Sequence, residues 1–195
     1  MKIIVHDYAG HPFQIDLSKQ LAKNGYSVTH VYTTASGGPK AGFDSDLANL
    51  TIINVKSDEV AKQNFIKRRS QEKKYGKRLV QHLIEIKPDV VISANTPLDA
   101  QLELYKWCKK SNVPFIFWLQ DIISVAAASI LKKKLGILGS LIAKYYQGIE
   151  KKILKGSDYI ITIADDFNEI VQNWGFQKKE FLQYQTGHLL KKFLW

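Results

Sequence analysis

The sequence predicts an α/β fold: a doubly wound, mainly parallel sheet with helices on both faces. Three observations predict it. Short apolar runs alternate with segments of helical spacing from end to end. One of those runs, Val90-Val91-Ile92 after Pro88, is continuously apolar, as in a strand covered on both faces. The chain also opens on a strand–glycine turn–helix–strand unit over residues 1–34.

The elements follow in order. Lys2-Ile3-Ile4-Val5-His6 is the first strand, and Asp7 to Pro12 breaks it around Gly10. Phe13 to Asn24 has helical spacing through Ile15, Leu17, Leu21 and Ala22, and Gly25 ends it. Ser27 to Thr33 is β-branched and aromatic, a second strand. Thr34 to Gly42 is a loop by its Gly, Ser and Pro content, and Leu50 to Val55 is a third strand. Lys56 to Lys87 is polar and mostly helical. Asp89 to Ala94 is a fourth strand, turned by Asn95-Thr96-Pro97 into an amphipathic helix over Leu98 to Lys110. Pro114 to Leu119 is a fifth strand. Ile122 to Lys155 is helical with a break at Gly136, and Asp158 to Ile163 is a sixth strand. Asp165 caps a last helix that Gly175 closes.

A chain of 195 residues forms one well-buried domain. The lone Cys108 precludes an internal disulfide, suits a reducing compartment, and reads as a small buried apolar side chain. The N-terminal apolar run is too short for a signal peptide, and no apolar stretch reaches the length of a membrane span. The formal charge is +10, which draws the chain to polyanions. Zinc-finger spacing and an RNA-recognition aromatic signature are both missing, so nucleic acid is not an expected partner.

The charge sits in two stretches. Asn64 to Leu79 carries Lys67, Arg68, Arg69, Lys73, Lys74, Lys77 and Arg78 against the single acid Glu72, either a solvated helix face or an anion-facing surface. Ile122 to Lys155 mixes apolar residues with lysines that include Lys132, Lys133, Lys134 and Lys144, the pattern of an interfacial amphipathic helix on anionic lipid. A core helix with a wet lysine face would show the same composition. The predicted location is therefore cytoplasmic, peripheral on the inner face of the plasma membrane.

The first turn has only Gly10, which argues against a dinucleotide fingerprint, and no G-K-[ST] follows any strand. No His/Cys/carboxylate grouping has metal-ligand spacing, so neither a metal nor a cofactor is expected. What remains are polar residues at strand ends: His6, Asp7, Gly10, His11, Asn95, Thr96, Gln120, Asp121, Asp165 and Asp166. A parallel sheet lines these along one edge. A glycine there admits a phosphate to the backbone, and a histidine or carboxylate orients sugar hydroxyls or carries a proton. His30, mid-strand, reads as structural.

The run His6 to Phe13, continued by Leu17 to Val28, resembles the opening of GT-B glycosyltransferases of the colanic-acid, exopolysaccharide type. Trp118-Leu119-Gln120-Asp121 is similar to that family's W-x-Q-D stretch. Ile161-Thr162-Ile163-Ala164, Asp166-Phe167 and Trp174-Gly175 are similar to the last strand–helix of its N-terminal domain. The resemblance covers residues 1–182 and implies one of two Rossmann-like domains, the one that binds the acceptor and faces the membrane. It implies that His11 and Asp121 are catalytic, that Gly10 lies at the donor diphosphate, and that His6, Asn95 and Gln120 contact the acceptor. A full-length relative would transfer a hexose from a nucleotide sugar to a membrane-associated acceptor in polysaccharide synthesis. It would do so with retention and with electrostatic stabilisation of the leaving diphosphate.

The donor-binding domain is the expected missing partner, so this chain alone is expected to be inactive. In the family, the strand after Trp174-Gly175 leads into a P-N-W-x-P junction. Read from the third base of the Tyr184 codon, allowed codons for the tail give S-N-W-A-P-L-E-E-I-P-V. A frameshifted tail over 183–195 is therefore expected. A non-catalytic, membrane-recruiting subunit serving a separate donor-binding protein is the alternative, and a generic nucleotide-binding α/β domain is a third reading.

Overall fold

The computed structural model describes residues 1–34, 45–58, 64–94, 96–163, 165–175 and 181–183, with side chains except at 165, 166 and 181–183. The chain forms two compact units, Met1–Ile116 and Phe117–Trp195.

The first unit holds β1 (Lys2–Asp7), α1 (Pro12–Lys23), β2 (Ser27–Tyr32), β3 (Leu50–Asn54), α2 (Phe65–Ile86), β4 (Val90–Ala94) and α3 (Leu98–Lys110). Its strands run in the order β3-β2-β1-β4. All these pairings are parallel: Val5 lies beside His30 and Ile92, and Val31 beside Ile53. The carboxyl ends of all four strands therefore share one edge. The chain leaves β1 toward β2 on one side and later returns to β4 on the other. Open α/β sheets bind ligands beyond the strand ends at such a reversal, here between β1 and β4.

Every residue of β1 after Lys2 is buried, so both faces of the strand are covered, as the apolar runs predict. Leu21, Leu79, Leu83, Leu98 and Leu104 are among the fully covered side chains of this unit, each contributing roughly 1.5–3 kcal/mol of transfer free energy. α2 packs on α3 in near-backbone contact at Gly76, where an added Cβ would stand 2.9 Å from the Ala100 carbonyl oxygen. α2 begins later than its composition predicts, because the Asn64 side chain accepts from the Lys67 N–H and sets the start at Phe65. Residues 56–58 precede it as non-helical chain, and 59–63 lie outside the described residues.

β5 (Phe115–Leu119) is wholly buried and crosses from the first unit into the second. Within the first unit, the Val91 N–H donates to the Pro114 carbonyl at 3.0 Å, leading the chain into it. The second unit continues with α4 (Ile123–Gly156), β6 (Tyr159–Thr162), α5 (Asp165–Asn173) and β7 (Phe181–Gln183). Its strands run β5-β6-β7, and β7 pairs parallel to β6, with Ile161 beside Leu182. This seventh strand falls where the resemblance places one and where periodicity alone shows none. Gly136, at φ 55° and ψ −125°, interrupts α4 at the predicted break. The α/β, parallel, Rossmann-like class is the observed one. The capping role expected of Asp165 falls on a side chain outside those described, and the tail expected over 183–195 lies outside the described residues from 184 onward.

Candidate functional site

The edge of the first unit is built from β1 outward. Asp7, the last residue of β1, is fully buried beneath the turn that follows. Its Oδ1 accepts from the Ala9 N–H at 3.0 Å, and its Oδ2 accepts from the His11 N–H. His11 Nδ1 lies 3.4 Å from Oδ1. Burial raises the Asp7 carboxyl above its ordinary range, and the bonds from His11 and Ala9 oppose that rise. Gly10 sits inside this turn at φ 76°, a left-handed conformation that favours glycine. His11 is the N-cap residue of α1, with Pro12 next at the first helical position. Its ring, 29% exposed, is the reachable group of the turn. A carboxylate on Nδ1 holds the proton there and leaves Nε2 as the basic nitrogen.

His6, one residue earlier than Asp7, is placed differently from the expectation that it contacts a ligand. It has no exposed surface. Its Nδ1 lies 2.8 Å from Ser93 Oγ and 3.2 Å from Thr96 Oγ1, and its Nε2 lies 2.9 Å from Tyr75 OH. Proton counting assigns the tautomer. Ser93 donates its hydroxyl proton to Gln101 Oε1 at 2.8 Å, and Thr96 donates to the Ala94 carbonyl at 2.7 Å. Both oxygens therefore accept from His6 Nδ1–H, and Nε2 accepts from Tyr75. Burial, aided by His30, lowers the His6 pKa to about 3, so the ring is neutral. His6 links β1 to β4 and α2, Ser93 extends the link to Gln101 of α3, and His6 also holds Thr96. Asn95 itself lies outside the described residues.

Charged pairs flank this network, and sequence reading missed them. Glu72, nearly buried, takes the Arg68 guanidinium at 2.7 Å, and burial raises its carboxyl. Asp99, fully buried in the first turn of α3, takes Arg69 at 3.2 Å with Lys73 at 3.9 Å. Tyr8 stacks edge-on against Tyr75 with ring centres 5.0 Å apart. Part of the basic stretch of α2 thus neutralises buried acids rather than facing solvent alone. The signal available was the lone Glu72 amid cations; Asp99 carried none. His30 is structural, as expected: Ser18 Oγ donates to the Gln14 carbonyl and accepts from His30 Nδ1 at 2.8 Å.

In the second unit, Gln120 is nearly buried after β5, and Asp121 is exposed at the entry to α4. Lys132, Lys133, Lys134 and Lys144 are all exposed on α4. Among the described residues, no three His, Cys, Asp or Glu side chains converge as metal ligands. No described helix is long and apolar enough to cross a membrane.

Comparison with known proteins adds the following. The sequence family described as Glycosyltransferase Family 4 matches residues 14–181. The structure is similar to a sucrose-phosphate synthase of Thermosynechococcus elongatus, with TM-score 0.65 and 10% identity over 94% of this chain and 47% of that one. It is similar to UGT89C1 of Arabidopsis thaliana, with TM-score 0.60 and 11% identity over 97% and 50%. It is also similar to UGT2 of Phytolacca americana, with TM-score 0.59 and 11% identity over 96% and 52%. At these identities the likeness is one of fold. The chain spans about half the length of the solved structures it matches. A search of curated protein sequences finds no match.

Proposed function

From the premise that this chain belongs to glycosyltransferase family 4, we propose that it is the acceptor-side half of a two-domain GT-B enzyme. The complete enzyme transfers a hexose from a nucleotide sugar to a membrane-associated saccharide acceptor in exopolysaccharide synthesis, with retention. The observation that carries this reading is the Asp7-built turn. It presents Gly10 and the His11 ring at the carboxyl edge where the strand order reverses, in front of the N-terminus of α1.

In this reading the backbone at Gly10 and the positive end of α1 face the donor diphosphate, where they stabilise charge that develops as the sugar leaves. His11 and Asp121 are the catalytic side chains, and His11 Nε2 orients or deprotonates a sugar hydroxyl. Asn95 and Gln120 contact the acceptor. His6 acts indirectly, by holding Thr96. A complete GT-B site also needs a donor-binding half, and the match to about half of each solved structure supports this reading. Lys132, Lys133, Lys134 and Lys144 place the chain on the anionic cytoplasmic face of the membrane.

Purified 1–195 is expected to turn over none of UDP-glucose, UDP-galactose or GDP-mannose, with or without vesicles. Turnover by the isolated chain would overturn the half-enzyme reading. A second reading, a non-catalytic recruiting subunit, is favoured by the same exposed lysines. Addition of a donor-binding domain separates the two: the first reading requires transfer to fall when His11→Ala is introduced, and the second requires it to persist.

A further inference from the structure

α4 is not one rod. Gly136 divides it into segments 123–135 and 137–156. Two contacts show how they lie. A Cβ built on Gly139 would fall 2.0 Å from the Leu131 carbonyl oxygen, so the second segment leaves the turn in backbone contact with the first. The Glu150 carboxylate accepts from the N–H groups of Ile123 at 2.9 Å and Ser124 at 3.1 Å, and from the Ser124 hydroxyl at 2.5 Å. The pair 131 with 139 is nested inside the pair 123–124 with 150. Nested contacts about a turn define an antiparallel helical hairpin, closed at its base by Glu150 and tipped by Gly136.

The tip is apolar and open to solvent. Ile137 is 84% exposed, Leu138 and Leu141 are 59% exposed, and Leu135 is 44% exposed. Lys132, Lys133 and Lys134 directly precede these residues, Lys144 follows, and no acid occurs between Asp121 and Glu150. Contiguous exposed apolar surface mixed with unopposed cations suits a partner that is apolar within and anionic at its boundary. We propose that this tip enters the headgroup–acyl boundary of an anionic bilayer, with Leu135, Ile137, Leu138 and Leu141 inserted and the lysines held among the headgroups. The inference rests on the membrane-facing reading above and deepens it: contact is made by a projecting tip, not by a helix lying flat along its length.

The test uses the whole chain with vesicles of phosphatidylglycerol and phosphatidylcholine, read by co-sedimentation. Ile137→Asp/Leu138→Asp alters only exposed positions, and an unchanged thermal midpoint verifies its fold. It is expected to weaken partitioning at least tenfold. Lys132→Gln/Lys133→Gln/Lys134→Gln is expected to remove most of the salt dependence while leaving the residual apolar binding. Equal binding by wild type and the double-Asp variant would overturn the tip while leaving membrane association intact. No binding by the wild type would overturn the membrane reading itself. Salt-independent dimers of the wild type, dissolved by the double-Asp change with vesicle binding untouched, would assign the tip to a second copy and also overturn the proposal.

Discussion

Asp7 and His11 are joined twice: the Asp7 carboxylate accepts the His11 backbone N–H and lies 3.4 Å from His11 Nδ1. The first bond shapes the turn around Gly10, and the second orients the ring at the sheet edge. Asp7→Ala is expected to destabilise the fold by about 1–3 kcal/mol, because it leaves the Ala9 and His11 donors without their acceptor. Asp7→Asn, which keeps one accepting oxygen, is expected to cost less. Nitrogen-15 spectra of His11 provide a readout that stability alone would not move. The Nδ1–H tautomer is expected in the wild type and lost in Asp7→Ala, and an unchanged tautomer would count against the orienting role.

Two buried histidines make the fold acid-sensitive. Burial lowers the pKa of both His6 and His30 to about 3. A folded value below the unfolded one means stability that is present above the ordinary histidine pKa and is lost as pH falls from about 6.5 toward 3. Each contributes a slope of about 1.4 kcal/mol per pH unit. Asp7, Glu72 and Glu150, raised by burial, act with the opposite sign as pH falls through the carboxylate range. Denaturant titrations of wild type and His30→Gln between pH 6.5 and 5 are therefore expected to differ in mean slope by about 1 kcal/mol per unit. Parallel slopes would contradict a neutral, buried His30.

The hairpin makes a matched pair of glycine predictions. Gly139→Ala places a methyl group against the Leu131 backbone, and Gly148→Ala places one where nothing lies within 4 Å. The first is expected to lower stability by about 1–3 kcal/mol through overpacking. The second is expected to be neutral, or to stabilise by up to about 1 kcal/mol, as alanine replaces glycine in a helix. Thermal unfolding of the two variants reads the contrast, and equal effects would argue against the close crossing.

The strands were legible because their apolar runs are short, β-branched and punctuated by Gly, Pro or Asn, and the break at Gly136 was legible for the same reason. The direction of the chain after that break was not, since helical periodicity is the same whether a second segment continues the first or returns along it. The resemblance implies an acceptor contact for His6, which also ends an apolar run at the ligand-binding edge. Its burial depends on Ser93, Thr96, Tyr75 and Gln101, which are distant in sequence. Glu72 stands among cations on a helix face in the sequence, and Asp99 carries no sequence signal; both are buried only in the folded chain.

The Gly10–His11 turn is proposed to present the acceptor side of a glycosyl-transfer site. The most direct measurement is a two-dimensional NMR titration of the full chain with a short-chain prenyl-diphosphate-linked sugar and, separately, with UDP-glucose. Saturable shifts are expected at the His11 ring with the prenyl-linked acceptor, and only a weak response of the Gly10 amide to the nucleotide sugar in the absence of a donor-binding domain. Tight binding of UDP-glucose at this turn with no response to the acceptor would contradict this role of the turn.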